Sequence, residues 1–90
     1  MPRYVIEREV EGVGDLTREQ LREISLKSLE TLGSMGPKIQ WLHSWVTDHK
    51  VYCVYIAPDE ETLKLHAEKT GIPASRISRV RGLLDPANYA

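Results

Sequence analysis

Residues 39–57 read IQWLHSWVTDHKVYCVYIA. Two runs rich in β-branched and aromatic residues flank a short polar segment at 48–50, Asp-His-Lys. Such runs are typical of β-strands, and polar residues between them indicate a tight connection. The stretch therefore predicts a hairpin of two strands, at 39–47 and 51–57, in the middle of the chain.

Each side of this hairpin carries a strand and a helix. Residues 3–10 alternate between two faces with a period of two, which predicts the first strand. Thr17 followed by Gln20 forms a capping-box pattern, and apolar residues at helical spacing follow it. After the hairpin, Asp59 is a good N-cap for a second helix, and 77–84 predicts the last strand.

The predicted order is β-α-β-β-α-β. Two β-α-β halves with right-handed crossovers, joined through the hairpin, give the ferredoxin-like split β-α-β arrangement. We predict an α+β fold in which a four-stranded antiparallel sheet carries two helices on one face. Residues 1–90 are predicted to form a single domain. The bare face of the sheet predicts a homodimer, in which two sheets pack as a dimeric α/β barrel.

The composition and net charge of the chain limit the kinds of molecule that it is expected to bind. The net charge is −1 and the sequence pI is about 6.3, so nothing attracts the chain to nucleic acid or to an anionic membrane. The most apolar run, 51–58, is too short to span a bilayer. The single cysteine, Cys53, cannot form an intramolecular disulfide, and we predict a cytoplasmic location.

The length of the hairpin turn decides which side chains share a face. A three-residue turn pairs Thr47 with Val51, and a two-residue turn shifts the register by one residue. We favour three residues, because the face under the helices is then mainly aliphatic: Ile6, Leu42, Val46, Tyr52, Val54, Ile56 and Val80. The predicted helix-free face then carries Val5, Glu7, Glu9, Trp41, His43, Trp45, Cys53, Tyr55, Arg79 and Arg81.

The chemistry-bearing side chains of this helix-free face are the candidate site. The predicted ligand-binding residues are Glu7, His43, Trp45, Tyr55 and Arg79. An imidazole, a carboxylate and a guanidinium beside aromatic rings suit either a divalent transition metal or a small organic ligand. Our first hypothesis is a small dimeric binding protein that uses this face.

Two alternatives remain open, and the sequence leaves catalysis undecided. The first is a cofactor-free enzyme of the dimeric α/β-barrel kind, an oxygenase or isomerase. In it His43 acts as the base, while Tyr55 and Arg79 polarise a substrate oxygen. The second is a purely structural homodimeric module, which predicts that Trp41 and Trp45 are fully buried in the interface.

Several segments together resemble a family of short bacterial proteins of unknown function that is described as nickel-binding. They are RYVIE (3–7), GPKIQWLHSWVTD (36–48), KVYCVYIAPDEE (50–61), HAEKTGIPASRIS (66–78) and the dipeptide DP (85–86). The resemblance covers nearly the whole chain. It implies a ferredoxin-like, dimeric protein and nickel, or another divalent transition metal, as the cofactor.

The resemblance also implies a metal-ligand set. His43, Cys53 and His66 match positions at which nickel-binding relatives carry His, Cys and His. The first strand differs, because Ile6 and Arg8 stand where those relatives have Asp and His. An arginine cannot coordinate a cation. His66 lies on the inner face of the second helix, so we expect it to approach the sheet from the helix side.

Overall fold

The computed structural model describes residues 1–87. Its elements are β1 (Arg3–Glu9), a 3₁₀ turn (Val13–Asp15), α1 (Arg18–Met35), β2 (Gln40–Val46), β3 (Lys50–Ile56), α2 (Glu60–Thr70) and β4 (Arg76–Arg79). The sheet order is β2-β3-β1-β4, and all neighbouring strands are antiparallel. The predicted α+β ferredoxin-like arrangement is confirmed. The fourth strand is shorter than predicted, and the last three residues of the predicted domain lie outside the described range.

The helix ends form where the sequence predicts them. Thr17 Oγ1 accepts a hydrogen bond from the Gln20 amide (3.1 Å), and Gln20 Oε1 accepts one from the Thr17 amide (2.9 Å). The predicted capping box is therefore complete. Asp59 caps α2 by accepting a hydrogen bond from the Thr62 amide at 2.8 Å. Gly71 ends α2 in the left-handed conformation, with φ of 73°. Within residues 1–87, neither helix has the length and apolar character needed to cross a membrane.

The hairpin register differs from the prediction. The Thr47 amide donates to the Lys50 carbonyl oxygen at 2.8 Å, and Val46 pairs with Val51. The turn therefore has two residues, Asp48 and His49, and the preferred three-residue turn was wrong. A register shift of one residue moves every side chain of one strand to the other face relative to its neighbour.

A β-bulge then changes the faces a second time. Trp41 pairs with Tyr55 and His43 pairs with Val54, so Leu42 is an extra residue in β2. On the face under the helices, which we call the covered face, the hairpin contributes Trp41, Ser44, Val46, Val51, Cys53 and Tyr55. On the helix-free face it contributes His43, Trp45, Tyr52, Val54 and Ile56. The predicted face assignment of Trp41, Tyr52, Cys53, Val54, Tyr55 and Ile56 was wrong.

The hydrophobic core lies between the covered face and the two helices. Its buried members come from the sheet, from both helices and from residues next to the strands: Tyr4, Ile6, Leu32, Ile39, Cys53, Tyr55, Ala57 and Leu63. On α1, the buried inner positions are Ser28 and Leu32, and Ser25 is half-buried. Two serines on the inner face of a helix bury little volume. The core is therefore thin under the middle of α1.

The connection from β1 to α1 packs against the hairpin tip. The Gly14 amide donates to the Asp48 carbonyl oxygen at 3.0 Å, and the Val10 amide donates to the His49 carbonyl oxygen at 3.0 Å. A Cβ atom at Gly14 would lie 2.8 Å from the Cα atom of Asp48. Only glycine allows this close approach of two backbones. The connection is thus held in place at the same end of the domain as the start of α1.

Candidate functional site

A cavity of about 400 Å³ lies between the covered face and α1. Its walls are mainly apolar, and they come from β1, α1, β2, β3 and the segment after α2. The lining residues are Arg8, Val10, Val13, Leu21, Ile24, Ser25, Ser28, Trp41, Ser44, Val46, Val51, Cys53, Tyr55, Gly71, Ile72 and Pro73. This volume is within the range of small-molecule sites, which is roughly 300–1,000 Å³.

The cavity exists because small side chains meet there. Ser25 and Ser28 reach it from α1, and Ser44 and Cys53 reach it from the sheet. Protein interiors are normally filled to crystal-like density, so large side chains at these positions would close the space. The Trp41 indole borders the cavity and donates from Nε1 to Ser44 Oγ at 2.9 Å. This bond holds an aromatic wall in place.

Arg8 brings a charge into this space. Its parity on β1 matches that of Tyr4 and Ile6, so it points towards the helices, and it is only 3% exposed. Nη1 donates to the carbonyl oxygens of Pro73 (3.0 Å) and Ile72 (3.3 Å). These carbonyls follow the C-terminus of α2, the negative end of that helix dipole, which stabilises the charge in part.

The other edge of the guanidinium has weaker acceptors. Nε donates to Cys53 Sγ at 3.4 Å, and Nη2 donates to the Tyr55 hydroxyl at 3.5 Å. A thiol is a weak acceptor, and 3.5 Å is long for a hydrogen bond. Within residues 1–87, the ion pairs are formed by other side chains, so Arg8 has no carboxylate partner there. A buried charge without a counter-ion costs several kcal/mol.

His66 lies behind the cavity wall, next to Ser28. Its side chain is fully buried on α2, and Nε2 lies 3.3 Å from Ser28 Oγ. Burial lowers the pKa of His66, and the Arg8 charge lowers it further, so the imidazole is neutral at pH 7. Its Nδ1 atom is buried and has no hydrogen-bond partner in the described part of the chain.

Tyr55 lies between His66 and Arg8 and contacts both. Its ring centroid lies 5.5 Å from that of His66, and its hydroxyl reaches Arg8. Burial raises the pKa of Tyr55, and the nearby Arg8 charge acts in the opposite direction. The phenol is therefore protonated at neutral pH, and it is able to donate a hydrogen bond to a ligand as well as accept one from Arg8.

The predicted ligand-binding residues do not share one face. Glu7, His43 and Trp45 lie on the helix-free face, whereas Tyr55 borders the cavity on the covered face. Arg79 pairs with Tyr4, so its parity is that of the covered face. Tyr55 was misplaced because the predicted grouping depended on the three-residue turn, and Arg79 was misplaced because it pairs with Tyr4 in the register of β4 against β1.

Glu7 on the helix-free face forms its ion pair with a lysine. β4 lies beside β1, and the arginine in register with Glu7 is Arg76. The ion pair of Glu7 is with Lys50, whose Nζ lies 3.1 Å from Oε1. This contact raises the pKa of Lys50. Glu7 is thus part of a cross-strand pair typical of sheet surfaces.

The predicted metal set is also divided. His43 lies on the helix-free face, whereas Cys53 and His66 lie on the covered side of the sheet. No group of three or more His, Cys, Asp or Glu side chains in residues 1–87 is placed to hold a metal ion. In addition, the Arg8 guanidinium donates to the Cys53 sulfur and would repel a cation there. The cavity residues do not fit a nickel centre.

Arg8, Ser28 and Trp41 are among the cavity residues that the sequence prediction of the site missed. Arg8 had a visible signal, since it alternates in phase with Tyr4 and Ile6, two side chains expected in the core. A charged residue at an inward position of a strand indicates a functional or paired group. Trp41 had no such signal, because the bulge at Leu42 decides its face.

These features define the class of protein. It is an α+β ferredoxin-like domain with a ligand-sized, partly open cavity between its sheet and its first helix. The family described as nickel responsive protein SCO4226-like matches residues 4–80, and the chain belongs to this family. The family resemblance seen in the sequence is therefore confirmed.

A solved structure with the same fold is the crystal structure of SCO4226 from Streptomyces coelicolor A3(2). The two chains superpose with a TM-score of 0.76 over 91% of this chain and 99% of the other. Their sequence identity is 18%, so the similarity establishes the shared fold alone. No curated protein sequence matches the chain.

Proposed function

We propose that this protein binds a small organic molecule in the cavity between the covered face and α1. The observation that carries the proposal is an apolar cavity of about 400 Å³ that contains a buried polar cluster, Arg8, Tyr55 and Ser28. Mainly apolar walls with a few convergent polar groups are the usual design of a small-molecule site. The sequence placed a ligand on the helix-free face, and this proposal moves it to the opposite face.

The test uses an uncharged fluorescent probe, N-phenyl-1-naphthylamine, which brightens in apolar surroundings. Ser25→Leu places a larger side chain in the cavity wall. Ser34→Leu is the matched control, since both hydroxyls donate to a carbonyl of α1 (3.0 and 2.7 Å) and Ser34 lies outside the cavity. We expect saturable one-to-one binding that Ser25→Leu weakens about tenfold or more. Absence of saturable binding, or equal binding by both variants, would contradict the proposal.

Nickel binding is the second candidate, and the family description favours it. The cavity residues do not fit nickel, and residues 1–87 hold no group of three or more donors for a metal ion, so we place direct binding at donors from two copies. His43 supports this version because it is an exposed imidazole on the helix-free face. Calorimetric titration with Ni²⁺, Co²⁺ and Zn²⁺ tests it. Heat equal to that of buffer, unchanged by His43→Ala, would eliminate direct binding.

We also propose that the helix-free face is the interface of a homodimer. Trp45 is 59% exposed on this face, and its ring lies edge-on to His43 with centroids 4.5 Å apart. Tyr52 and Ile56, which are both half-buried, extend the apolar surface along β3. An exposed aromatic patch of this kind is unusual for a monomer.

A cytoplasmic location agrees with Cys53 as a buried free thiol.

A further inference from the structure

We infer that the ligand of the cavity is a monocarboxylic acid with a compact apolar body, whose carboxylate binds Arg8. This inference rests on the proposed function, because it assigns the ligand class of the same cavity. Its basis is a guanidinium that is 3% exposed, lines the cavity and has only uncharged acceptors within residues 1–87. A bound anion supplies the missing counter-ion.

The geometry of the guanidinium selects the edge that a carboxylate would use. Nε and Nη2 form one fork of parallel N–H donors, which matches the two oxygens of a carboxylate. This fork now faces Cys53 Sγ at 3.4 Å and the Tyr55 hydroxyl at 3.5 Å. Both are weak acceptors, and both side chains must rotate away from the fork before a carboxylate takes their place. The Tyr55 hydroxyl, released from Arg8, would then donate to the carboxylate.

The remaining group of Arg8 has a structural task. Nη1 donates both to Pro73 and to Ile72, and these bonds tie β1 to the segment after α2. The two tasks use different nitrogens, so a ligand on the fork leaves the structural bonds intact. The guanidinium is thereby oriented before any ligand binds, which reduces the ordering cost of binding.

The charge of the site favours one negative charge on the ligand. Arg8 is the one charged side chain that lines the cavity in the described part of the chain. A phosphate monoester carries a second charge near neutral pH, which would be buried without a partner at considerable cost. The rest of the wall, including Ile24, Trp41 and Val46, suits a hydrocarbon or aromatic body.

The experiment compares octanoate with octanamide, which differ in charge and hardly in shape. Each displaces N-phenyl-1-naphthylamine from the wild-type protein and from Arg8→Met and Arg8→Lys. Hydrogen bonds between charged groups are stronger than those of a neutral amide, so we expect octanoate to bind at least about tenfold more tightly than octanamide. Arg8→Met should reverse this order, because an uncharged amide enters an apolar cavity at lower cost. Arg8→Lys should retain part of the preference, since it keeps the charge and loses the fork.

The outcomes separate the two proposals. If the dye binds as proposed but octanamide equals or exceeds octanoate on the wild-type protein, the carboxylate inference is overturned and the proposed function stands. If octyl phosphate binds more tightly than octanoate, the ligand class is wrong. If the dye does not bind, the proposed function itself fails. The wild-type comparison needs no variant, so a variant that does not fold leaves the test valid.

Discussion

The Nε atom of Arg8 lies 3.4 Å from the sulfur of Cys53, across two neighbouring strands of the sheet. Both side chains are buried, and they occupy the covered face of β1 and β3. A guanidinium that donates to a neutral thiol is stabilised far less than one that donates to a carboxylate. The positive charge of Arg8 therefore favours an anion in the cavity, and it disfavours a nickel ion beside Cys53.

Arg8→Met should leave stability nearly unchanged while it weakens carboxylate binding. Removing a buried charge that has no counter-ion also removes its desolvation cost, which offsets the loss of its hydrogen bonds. Pro73 is exposed and Ile72 is half-buried, so we expect water to replace Arg8 as the partner of their carbonyl oxygens. We expect the free energy of unfolding in urea to change by less than about 1 kcal/mol. A loss of about 3–5 kcal/mol would show that Arg8 is mainly a structural residue.

The stability of the protein should fall in mild acid because of His66. The pKa of His66 is lowered in the folded state from 6.5, so above that pH both states are neutral and the stabilisation is complete. As the pH falls below 6.5, the unfolded state takes up the proton first. Stability is then lost, at up to about 1.4 kcal/mol per pH unit, until the pH passes below the lowered pKa.

Urea unfolding between about pH 7.5 and pH 5 measures this slope. His66→Gln should remove much of it, because glutamine does not titrate. His43→Gln is the matched control, since His43 is exposed and its loss should leave the slope in place. Equal slopes in the wild-type protein and His66→Gln would show that other groups cause the acid sensitivity.

Two glycine-to-alanine changes should act in opposite directions. At Gly14 the added Cβ would lie 2.8 Å from Asp48 Cα and 2.9 Å from the Thr47 carbonyl oxygen, so the hairpin tip must move. We expect a loss of roughly 1–3 kcal/mol. At Gly33, inside α1, the added Cβ meets nothing within 4 Å apart from its chain neighbours and the backbone of its own helix. Alanine is the better helix former there and should stabilise by about 0.5–1 kcal/mol. Thermal unfolding of both variants checks the pair.

Trp45→Glu should convert the proposed dimer to a monomer. It places like charges opposite each other in an apolar interface, which costs several kcal/mol. Leu65→Glu on α2 is the control, because Leu65 is similarly exposed (45%) but lies on the helix side. Light scattering coupled to size-exclusion chromatography reports the mass of each variant. A wild-type protein that is monomeric at every concentration would exclude this interface.

The features that could be predicted from the sequence depend on near neighbours along the chain. The Thr17–Gln20 capping box and the Asp59 cap join residues three positions apart, so their chemistry is visible in the sequence. The order of strands and helices follows from residue periodicity in the same way. The inward direction of Arg8 was also visible, since it shares the parity of Tyr4 and Ile6.

The face of each hairpin side chain was decided only in the tertiary structure. Two-residue and three-residue turns fit the segment after Thr47 about equally well, and the choice reverses the face of a whole strand relative to its partner. The bulge at Leu42 leaves no clear local pattern, because it is determined by how β2 pairs with β3. His43 and Trp41 therefore lie on opposite faces, although their spacing predicts one face.

The sequence by itself determined an α+β domain with the order β-α-β-β-α-β, because local periodicity and capping chemistry specify each element. The cavity depended on the tertiary structure. Ser28, Ser44 and Cys53 are small residues from three separate elements, and nothing in their spacing shows that they meet. Their meeting beside Arg8 results from long-range packing, in which backbone register and the position of α1 decide which volume stays unfilled.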